Sequence, residues 1–412
     1  MPDFARLARK ITSVLFATQS LASAGFIAAA TLNSILGARL GGSDSWAGVP
    51  SAVYQFGGAL AASMWGVLMD RIGRRNGISA GLVLGACGAG MVIHSVGAGS
   101  LGWFLGGMVL MGAANAATQL GRFAAAEVNP PEQRGRAISF VVLGGTAGAI
   151  FGPLLVGPMG KYAQTLGMDE LTGAYIATVI LFAAGALAVF LGLRPDPRDL
   201  GRSVAEAHPE STPHGEARPP LEILRQPAAL TAVAAMVFGQ ATMVAVMVIT
   251  SLHMRGHDHH LGDISTVISA HTVGMFAFSV VSGRLADRWG RVPVILAGAA
   301  TLLLASLAAP LSPDVVPLAV ALFLLGLGWN FCFVGGSTLL ADQLSPAERG
   351  RTQGVNDLLV GLASATGSLG SGFLFAVSGY TMVALVSAGL SLVPLLLAVA
   401  LLRRPRLAAQ QG

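Results

Sequence analysis

Charged side chains are scarce in this sequence. They make up 11% of its 412 residues, whereas hydrophobic residues make up 53% and the mean hydropathy is +0.68. A soluble domain of this length has to cover its surface with polar groups, and globular sequences carry about 25% charged residues on average. The shortage therefore excludes a soluble globular protein and indicates a chain that crosses a membrane several times.

Cysteines and the signatures of soluble enzymes are also nearly absent. Cys87 and Cys332, the two cysteines, fall in apolar segments, so no disulfide framework is predicted. The sequence contains no nucleotide-binding loop and no hydrolytic constellation, so we predict neither an enzyme nor a cofactor. A pI of about 9.8 would suit nucleic-acid binding. The basic residues, however, lie in short loops between apolar segments, which is a topology signal, and no nucleic-acid partner is predicted.

Long apolar segments, by contrast, recur along the whole chain. Twelve of them approach or exceed the ~20 residues that a membrane-spanning helix needs, which predicts an all-α polytopic membrane protein embedded in the lipid bilayer. These spans 1 to 12 are predicted at residues 11–37, 46–69, 77–97, 101–126, 137–162, 172–193, 227–253, 264–286, 292–310, 315–340, 352–377 and 380–402. The first run is too long for the roughly 7–15 apolar residues of a signal peptide, so it is interpreted as a retained span.

A proline-rich and charged segment, residues 194–226, separates the spans into two groups of six. Its composition is typical of a flexible linker, so the predicted domains are 1–193 and 227–412, with 194–226 as a cytoplasmic linker. With the N-terminus inside, 22 of the 25 Lys and Arg residues fall on the inner side. This asymmetry predicts that both termini are cytoplasmic.

The two halves repeat each other in sequence. Gly66-Val-Leu-Met-Asp70-Arg71-Ile-Gly73-Arg74-Arg75 follows span 2, and Gly283-Arg-Leu-Ala-Asp287-Arg288-Trp-Gly290-Arg291 follows span 8, 217 residues later. The loops after spans 4 and 10 match at an offset of 215 residues. Six spans per half predict a parallel repeat about an axis along the membrane normal.

These paired loops resemble the signature G-x-x-x-D-R-x-G-R-R of the major facilitator superfamily. The resemblance implies twelve helices in two six-helix halves related by a parallel pseudo-two-fold, with spans 1, 4, 7 and 10 lining a central cavity. In that superfamily such residues hold the cytoplasmic face closed. The resemblance therefore implies a gating role for Asp70, Arg71, Arg74, Asp287, Arg288 and Arg291.

Spans 7 and 8 each carry a pair of metal-binding side chains one helical turn apart. Met243 and Met247 share a face of span 7, and His271 and Met275 share a face of span 8. Both pairs lie at similar predicted depths, and thioether and imidazole groups suit Cu(I). Methionines also serve as adaptable packing residues, and a lone intramembrane histidine can relay protons, so both alternatives stay open.

M-x-x-x-M in span 7 with H-x-x-x-M in span 8 resembles the CcoA-like (CalT) family of bacterial copper importers. The resemblance implies that Met243, Met247, His271 and Met275 bind copper as the transported substrate during alternating access. It also implies a cytoplasmic copper acceptor. Some relatives of that family have been labelled riboflavin transporters, so an importer of a small organic compound such as riboflavin remains an alternative.

Other soft or titratable residues flank this path. Candidates for a metal relay are Met236, His253, Met254, His257, His259, His260 and Cys332. Asp357 in span 11 is a candidate for carrying a coupling proton, with an ion pair to the loop arginines as the plainer alternative.

A proton-coupled drug efflux antiporter is a further alternative. Gly148-x-x-x-Gly152-Pro153 in span 5 partly resembles an antiporter motif. Against this hypothesis, no acidic residue lies between Asp3 and Asp44, so span 1 lacks the carboxylate that many exporters use. A non-transporting metal sensor is disfavoured by the complete duplicated gate loops.

Overall fold

The computed structural model describes residues 4–130, 133–207 and 218–403, and all regular secondary structure in these residues is helical. Spans 1 to 6 are Phe4–Gly41, Val49–Ile72, Arg74–Ala98, Leu101–Gln119 with Gly121–Glu127, Arg134–Phe151 with Val156–Thr165, and Gly173–Gly192. Spans 7 to 12 are Pro227–Arg255, Leu261–Phe276 with Ser279–Trp289, Arg291–Ala308, Val315–Ala341 and, in one continuous element, Pro346–Arg403.

Spans 11 and 12 both lie in this last element. Its 58 residues would extend far beyond the ~30 Å hydrocarbon core at 1.5 Å per residue, so it is too long for one crossing. The helix is interrupted at Gly379, whose φ of 73° lies in the left-handed region that glycine adopts readily. Span 2 is one helix, Val49–Ile72, with a bend of 47°. The described residues thus contain the twelve spans that the sequence predicts.

Glycines let the spans of each half approach closely. In the first half, a Cβ atom at Gly148 of span 5 would collide with the carbonyl oxygen of Ser20 in span 1. In the second half, a Cβ atom at Gly326 of span 10 would collide with the carbonyl oxygen of His271 in span 8. Helix pairs in lipid associate through van der Waals packing, which small residues permit. The approach at Gly326 fixes His271 against the backbone of span 10.

Two compact units divide the chain. One consists of Met1–Thr212 with Met254–Ser269, and the other of Pro213–His253 with Ala270–Gly412. The end of span 7, the beginning of span 8 and the loop between them therefore belong to the first unit.

Much of the segment 194–226 is ordered, although its composition predicts a flexible linker. It contains the helices Pro197–Ala207 and Pro220–Leu224. Leu200 is buried, and Arg198 donates hydrogen bonds to two backbone carbonyl oxygens at the end of span 2. These contacts hold the first helix, which we call the linker helix, against the first unit.

Candidate functional site

The loop between spans 2 and 3 is organised around Arg74. Its Nη1 lies 3.1 Å from Oδ1 of Asp70. Its Nη2 and Nε donate to the carboxylate of Glu127, at the end of span 4, over 2.7 and 3.1 Å. A bidentate guanidinium–carboxylate pair fixes both distance and orientation. Asp70, Arg74 and Glu127 form what we call the first gate cluster.

The corresponding loop of the second half repeats this arrangement. Arg291 Nη1 lies 3.4 Å from Oδ1 of Asp287, and its Nε donates to Oδ2 of Asp342, at the end of span 10, over 2.9 Å. The turns match as well, with φ of 89° at Gly73 and 94° at Gly290. Asp287, Arg291 and Asp342 form the second gate cluster, so the internal repeat extends from sequence to side-chain geometry.

The other two predicted gate residues, Arg71 and Arg288, have exposed side chains outside these clusters. The carbonyl oxygen of Arg71 instead accepts a hydrogen bond from Arg198, at 3.1 Å. The structure therefore brings together four of the six predicted gate residues, as two Asp–Arg pairs.

The segment 194–226 makes polar contacts within each unit, through Asp196 in the first and Arg218 in the second. In the first unit, Asp196 accepts hydrogen bonds from the backbone N–H groups of Arg74 and Arg75, both at 3.1 Å. These groups begin span 3 and have no partner within the helix. Asp196 therefore caps span 3, although it lies more than 100 residues away in sequence.

In the second unit, Glu348 is buried in the first turn of the helix Pro346–Arg403, which follows span 10. It accepts hydrogen bonds from Nε and Nη2 of Arg218, at 2.7 and 3.0 Å, and from the N–H of Ser345, at 2.9 Å. The Arg218 guanidinium and the Ser345 N–H hold the pKa of the Glu348 carboxyl well below its usual range. The same pair raises the pKa of Arg218.

His271 is fully buried in span 8, and its two ring nitrogens have different surroundings. Nδ1 lies 2.9 Å from the carbonyl oxygen of Leu322 in span 10. A carbonyl oxygen only accepts hydrogen bonds, so Nδ1 carries the proton and Nε2 carries a lone pair. Nε2 has no hydrogen-bond partner among the described residues. The backbone of span 10 thus orients a buried imidazole with an unused electron-pair donor.

Span 8 breaks directly after Met275. The first helix ends at Phe276, and the second begins at Ser279. Asn330 of span 10 donates from Nδ2 to the carbonyl oxygen of Met275, over 2.7 Å, and to Oγ of Ser279, over 2.9 Å. It also accepts a short hydrogen bond from Ser282 Oγ. Backbone irregularity inside a membrane requires such replacement partners, and transporters place substrate sites at interrupted helices.

Met236, Gln240, Met243 and Met247 follow one another at helical spacing along span 7, and we call them the methionine stripe; part of it is occupied by protein contacts. Met236 is buried, and its sulfur accepts from Nδ2 of Asn356 over 3.7 Å. Gln240, one turn further along, accepts from Trp329 Nε1 over 2.7 Å. Met243 is 5% exposed and Met247 is half-buried, as is Met275 in span 8. Both the stripe and His271 therefore contact span 10, and all four predicted ligands belong to the second unit.

Three aromatic rings accompany this region. Trp329 of span 10 stacks on Phe333 with ring centroids 5.0 Å apart, and Phe276 of span 8 meets Trp329 edge to face at 6.0 Å. Because Gln240 accepts from the indole N–H, the Trp329 ring is held in place. We refer to Phe276, Trp329 and Phe333 as the aromatic cluster.

The predicted relay residues are distributed over both units. His253 stacks on Tyr380 with ring centroids 4.2 Å apart. Met254 is fully buried, while His257 and His260 are exposed in the outer loop. In the same loop, His259 Nδ1 lies 4.0 Å from Oδ2 of Asp263, which also accepts from the N–H of His260.

Ion pairs hold the beginning of that outer loop within the first unit. Arg255, at the end of span 7, pairs with Glu170 at 2.5 Å, and Arg39, at the end of span 1, pairs with Asp169 at 2.5 Å. Leu261, at the start of span 8, packs near Gly160 of span 5, where a Cβ atom would approach it to 3.1 Å. The exposed histidines thus project from a loop whose two ends are fixed.

Cys332 and Asp357 are the remaining candidates for the metal relay and for coupling. The Cys332 thiol faces span 9, 3.9 Å from the carbonyl oxygen of Ile295, and is buried in helix packing. Asp357 is exposed, and its Oδ1 accepts weak hydrogen bonds from Gln353 and Asn356, both at 3.4 Å. Cys332 is therefore explained by packing, and Asp357 stays a candidate for coupling.

Several contacts of the gates do not follow from the motif alone. Asp342 lies 215 residues after Glu127, the offset already seen between the loops that follow spans 4 and 10, so the repeat contained a usable signal. No internal repeat predicts the contacts of Asp196 and Arg218, because each contacts residues that lie more than 100 positions away in the sequence. Within the described ranges, no three His, Cys, Asp or Glu residues are grouped as a metal site. A site built mainly from methionine falls outside that pattern.

Comparison with known proteins gives consistent matches over the whole chain. The family model described as "Major Facilitator Superfamily" matches residues 14–260 and 241–411. "Uncharacterized MFS-type transporter YdeG" of Bacillus subtilis is 34% identical over 94% of this chain and 90% of its own length. "Riboflavin transporter RfnT" of Brucella anthropi is 29% identical, over 91% and 92%. A bacterial homologue of the human lysosomal transporter Spinster, solved inward-facing and occupied, gives a TM-score of 0.70 at 17% identity, over 94% of this chain and 95% of that one.

Proposed function

We propose that this chain, which belongs to the major facilitator superfamily, imports copper across the bacterial inner membrane. The family match makes it a transporter that works by alternating access. One observation carries the proposal for copper. The buried Nε2 of His271 has a lone pair with no partner among the described residues, and the thioether of Met275 lies one helical turn away.

An unsatisfied nitrogen in this position calls for a ligand. Leaving a buried polar group unpaired costs about 1–3 kcal/mol, so a bound species that accepts the lone pair would offset that cost. Metal-binding histidines commonly donate their other N–H to a backbone carbonyl, which fixes the ring and its tautomer. The bond from His271 Nδ1 to the Leu322 carbonyl oxygen has this form.

The remaining proposed ligands select the kind of metal. Met243, Met247 and Met275 provide thioether sulfur, which is soft, neutral and suited to Cu(I). Mg²⁺ and Ca²⁺ take oxygen ligands, and the four proposed ligands include no carboxylate. In this proposal copper is the transported substrate and not a resident cofactor, because the family match makes the chain a transporter.

The other predicted roles fit this path as parts of the same proposal. The exposed histidines His257 and His260, with His259, would capture copper at the outer surface. Asp357 would carry a coupling proton near the inner end of span 11. A cytoplasmic copper acceptor would receive the ion, since free copper ions bind protein ligands tightly.

Uptake of radioactive copper by cells that produce the chain tests this function, with riboflavin uptake measured alongside. We expect copper accumulation with wild-type protein and its loss in His271→Ala. His94→Ala is the matched control, because His94 lies in span 3 and packs edge to face on Trp103. Copper accumulation that is equal with and without the protein would exclude the proposal.

A flat organic compound of the riboflavin type is the second candidate, and the aromatic cluster favours it. Trp329 and Phe333 offer ring faces of the kind that stack on planar ligands. A relative that is 29% identical is named a riboflavin transporter. Riboflavin uptake that requires Trp329, in cells that show no copper uptake, would favour this candidate over copper.

Helix packing explains the glycines of the partial antiporter motif in span 5. Gly148 and Gly152 of its partial motif lie against the backbone of span 1, where Cβ atoms would collide with the carbonyl oxygens of Ser20 and Ala24. Close packing of spans 1 and 5 therefore accounts for these glycines without any drug substrate.

A further inference from the structure

A cavity at the predicted cytoplasmic end of the first unit is unrelated to the proposed copper ligands. It has a volume of about 990 Å³ and lies between the beginning of span 1, the beginning of span 5 and the linker helix. This volume is at the upper end of the range of about 300–1,000 Å³ for small-molecule pockets. The proposed copper ligands belong to the second unit, so the cavity needs an explanation of its own.

Two arginines give the cavity its charge. Arg9 of span 1 and Arg136 of span 5 line it with exposed side chains, and neither forms an ion pair within the described ranges. Arg74 and Arg198, by contrast, pair with Glu127 and Asp199. Two uncompensated guanidinium groups attract an anion and repel a metal cation.

The remaining walls are amphipathic. Phe4 and Phe140 line the cavity and are 46% and 41% exposed, and Ala8 and Ala137 form apolar floor between them. Asn129 and Gln133 add polar groups beside the arginines. An inorganic anion would pair with the arginines but leave the aromatic walls in contact with water. An amphiphile with an anionic head covers both kinds of surface.

We propose that this cavity binds an anionic phospholipid of the inner leaflet, with its phosphate between Arg9 and Arg136 and an acyl chain along Phe4 and Phe140. The predicted spans 1 and 5 begin at residues 11 and 137, next to these arginines, so the cavity lies near the predicted membrane boundary, at the depth of a lipid headgroup. Basic pockets between spans on the cytoplasmic side are suited to such headgroups. Because Ser203 and Val204 of the linker helix also line it, a bound lipid would brace that helix against span 1.

Native mass spectrometry of the purified, delipidated full chain tests the site by titration with phosphatidylglycerol or phosphatidylcholine. We expect one phosphatidylglycerol to bind in preference to phosphatidylcholine. Arg9→Gln with Arg136→Gln should weaken phosphatidylglycerol binding by roughly thirtyfold, about fivefold for each charge, and remove the preference. The matched control is Arg225→Gln with Arg403→Gln, which removes two exposed arginines outside the cavity and should bind like wild type.

Three results would overturn the proposal. The double variant Arg9→Gln with Arg136→Gln could bind phosphatidylglycerol as tightly as wild type, or the Arg225 and Arg403 control could lose as much. Inorganic phosphate alone could raise the melting temperature of the wild type as much as phosphatidylglycerol does, which would assign the cavity to a soluble anion. The single variants, each with an expected fivefold loss, keep the test valid if the double variant does not fold.

Discussion

Arg74, at the beginning of span 3, donates two hydrogen bonds to Glu127, at the end of span 4. Nη2 donates to Oε1 at 2.7 Å, and Nε donates to Oε2 at 3.1 Å. Asp70, the residue that the motif names, makes a single contact with the same guanidinium and is 69% exposed. The strongest bond of the first gate cluster is therefore made by a residue outside the motif. In the second gate cluster Asp342 takes the place of Glu127, but it accepts a single hydrogen bond, from Arg291 Nε at 2.9 Å.

This difference predicts unequal effects of neutralising the two acids. Asp70→Asn removes an exposed ion pair, so it should lower the free energy of unfolding by less than about 1 kcal/mol. Glu127→Gln removes the bidentate pair to a largely buried Arg74 and should cost about 1.5–3 kcal/mol. Thermal unfolding of the purified variants measures both free energies.

The Asp70→Asn and Glu127→Gln variants should both slow transport while copper binding stays near the wild-type level, because the cluster lies at the loop end of the spans. Equal loss of binding and transport would contradict a gating role.

Asp196 should stabilise span 3 as a helix cap. Asp196→Ala leaves the N–H groups of Arg74 and Arg75 without their acceptor, and the loss of an N-terminal cap costs about 0.5–2 kcal/mol. Asp199→Ala is the matched control, because the Asp199 side chain is 57% exposed and pairs with the neighbouring Arg198 at 3.4 Å. Chemical or thermal unfolding should separate the two variants, and an equal loss of stability in both would remove the capping role.

The Arg218–Glu348 pair predicts a specific pH dependence. The pKa of Glu348 is lower in the folded protein than in the unfolded chain, so its contribution to stability is fully present above the unfolded pKa of about 4.3. It is lost only as pH falls below that value and through the folded pKa. The difference in melting temperature between wild type and Glu348→Gln should stay constant from about pH 8 to pH 5.5 and shrink below about pH 4. A difference that disappears between pH 7 and pH 5.5 would show that this carboxylate does not titrate as described.

Much of this architecture is predictable from the sequence, because single membrane crossings depend on local composition. The twelve spans, the duplicated gate loops and the Asp–Arg pairs at residues 70–74 and 287–291 follow from apolar run length and internal repetition. The break in span 8 does not follow from either of these sequence features. No glycine or proline lies between Phe276 and Ser279, and it is Asn330, from another span, that bonds both sides of the break.

In the candidate site, too, features that are local in the sequence are predictable, and contacts that depend on the tertiary fold are not. The spacing of His271 and Met275 on one face is a local property, and the sequence contains it. The bond from His271 to the Leu322 carbonyl oxygen, the burial of Cys332 against span 9 and the contact between Arg218 and Glu348 depend on tertiary packing. Helical periodicity does not specify which neighbouring span a side chain meets.

The outer histidines should affect capture more than passage. Replacing His257, His259 and His260 together by alanine should weaken uptake at limiting copper and be largely rescued at saturating copper. His257 and His260 are exposed and can meet ions in solution, while the proposed ligands lie in the other unit. Initial uptake rates over a range of copper concentrations separate a raised half-saturation concentration from a lowered maximal rate. A lowered maximal rate without rescue would assign the loop a different role.

Copper uptake by the double variant Met243→Leu with Met247→Leu is the most direct test of the proposed site. Leucine keeps nearly the volume and apolarity of methionine and removes only the sulfur, so packing should suffer by less than about 1.5 kcal/mol. The matched control is Met108→Leu with Met111→Leu, a pair that is buried in span 4 of the first unit. At matched protein levels in the membrane, we predict loss of copper uptake in the first variant and wild-type uptake in the control, with Ag(I) competing in wild type and Mg²⁺ not. Wild-type copper uptake in the Met243→Leu, Met247→Leu variant would contradict the copper site.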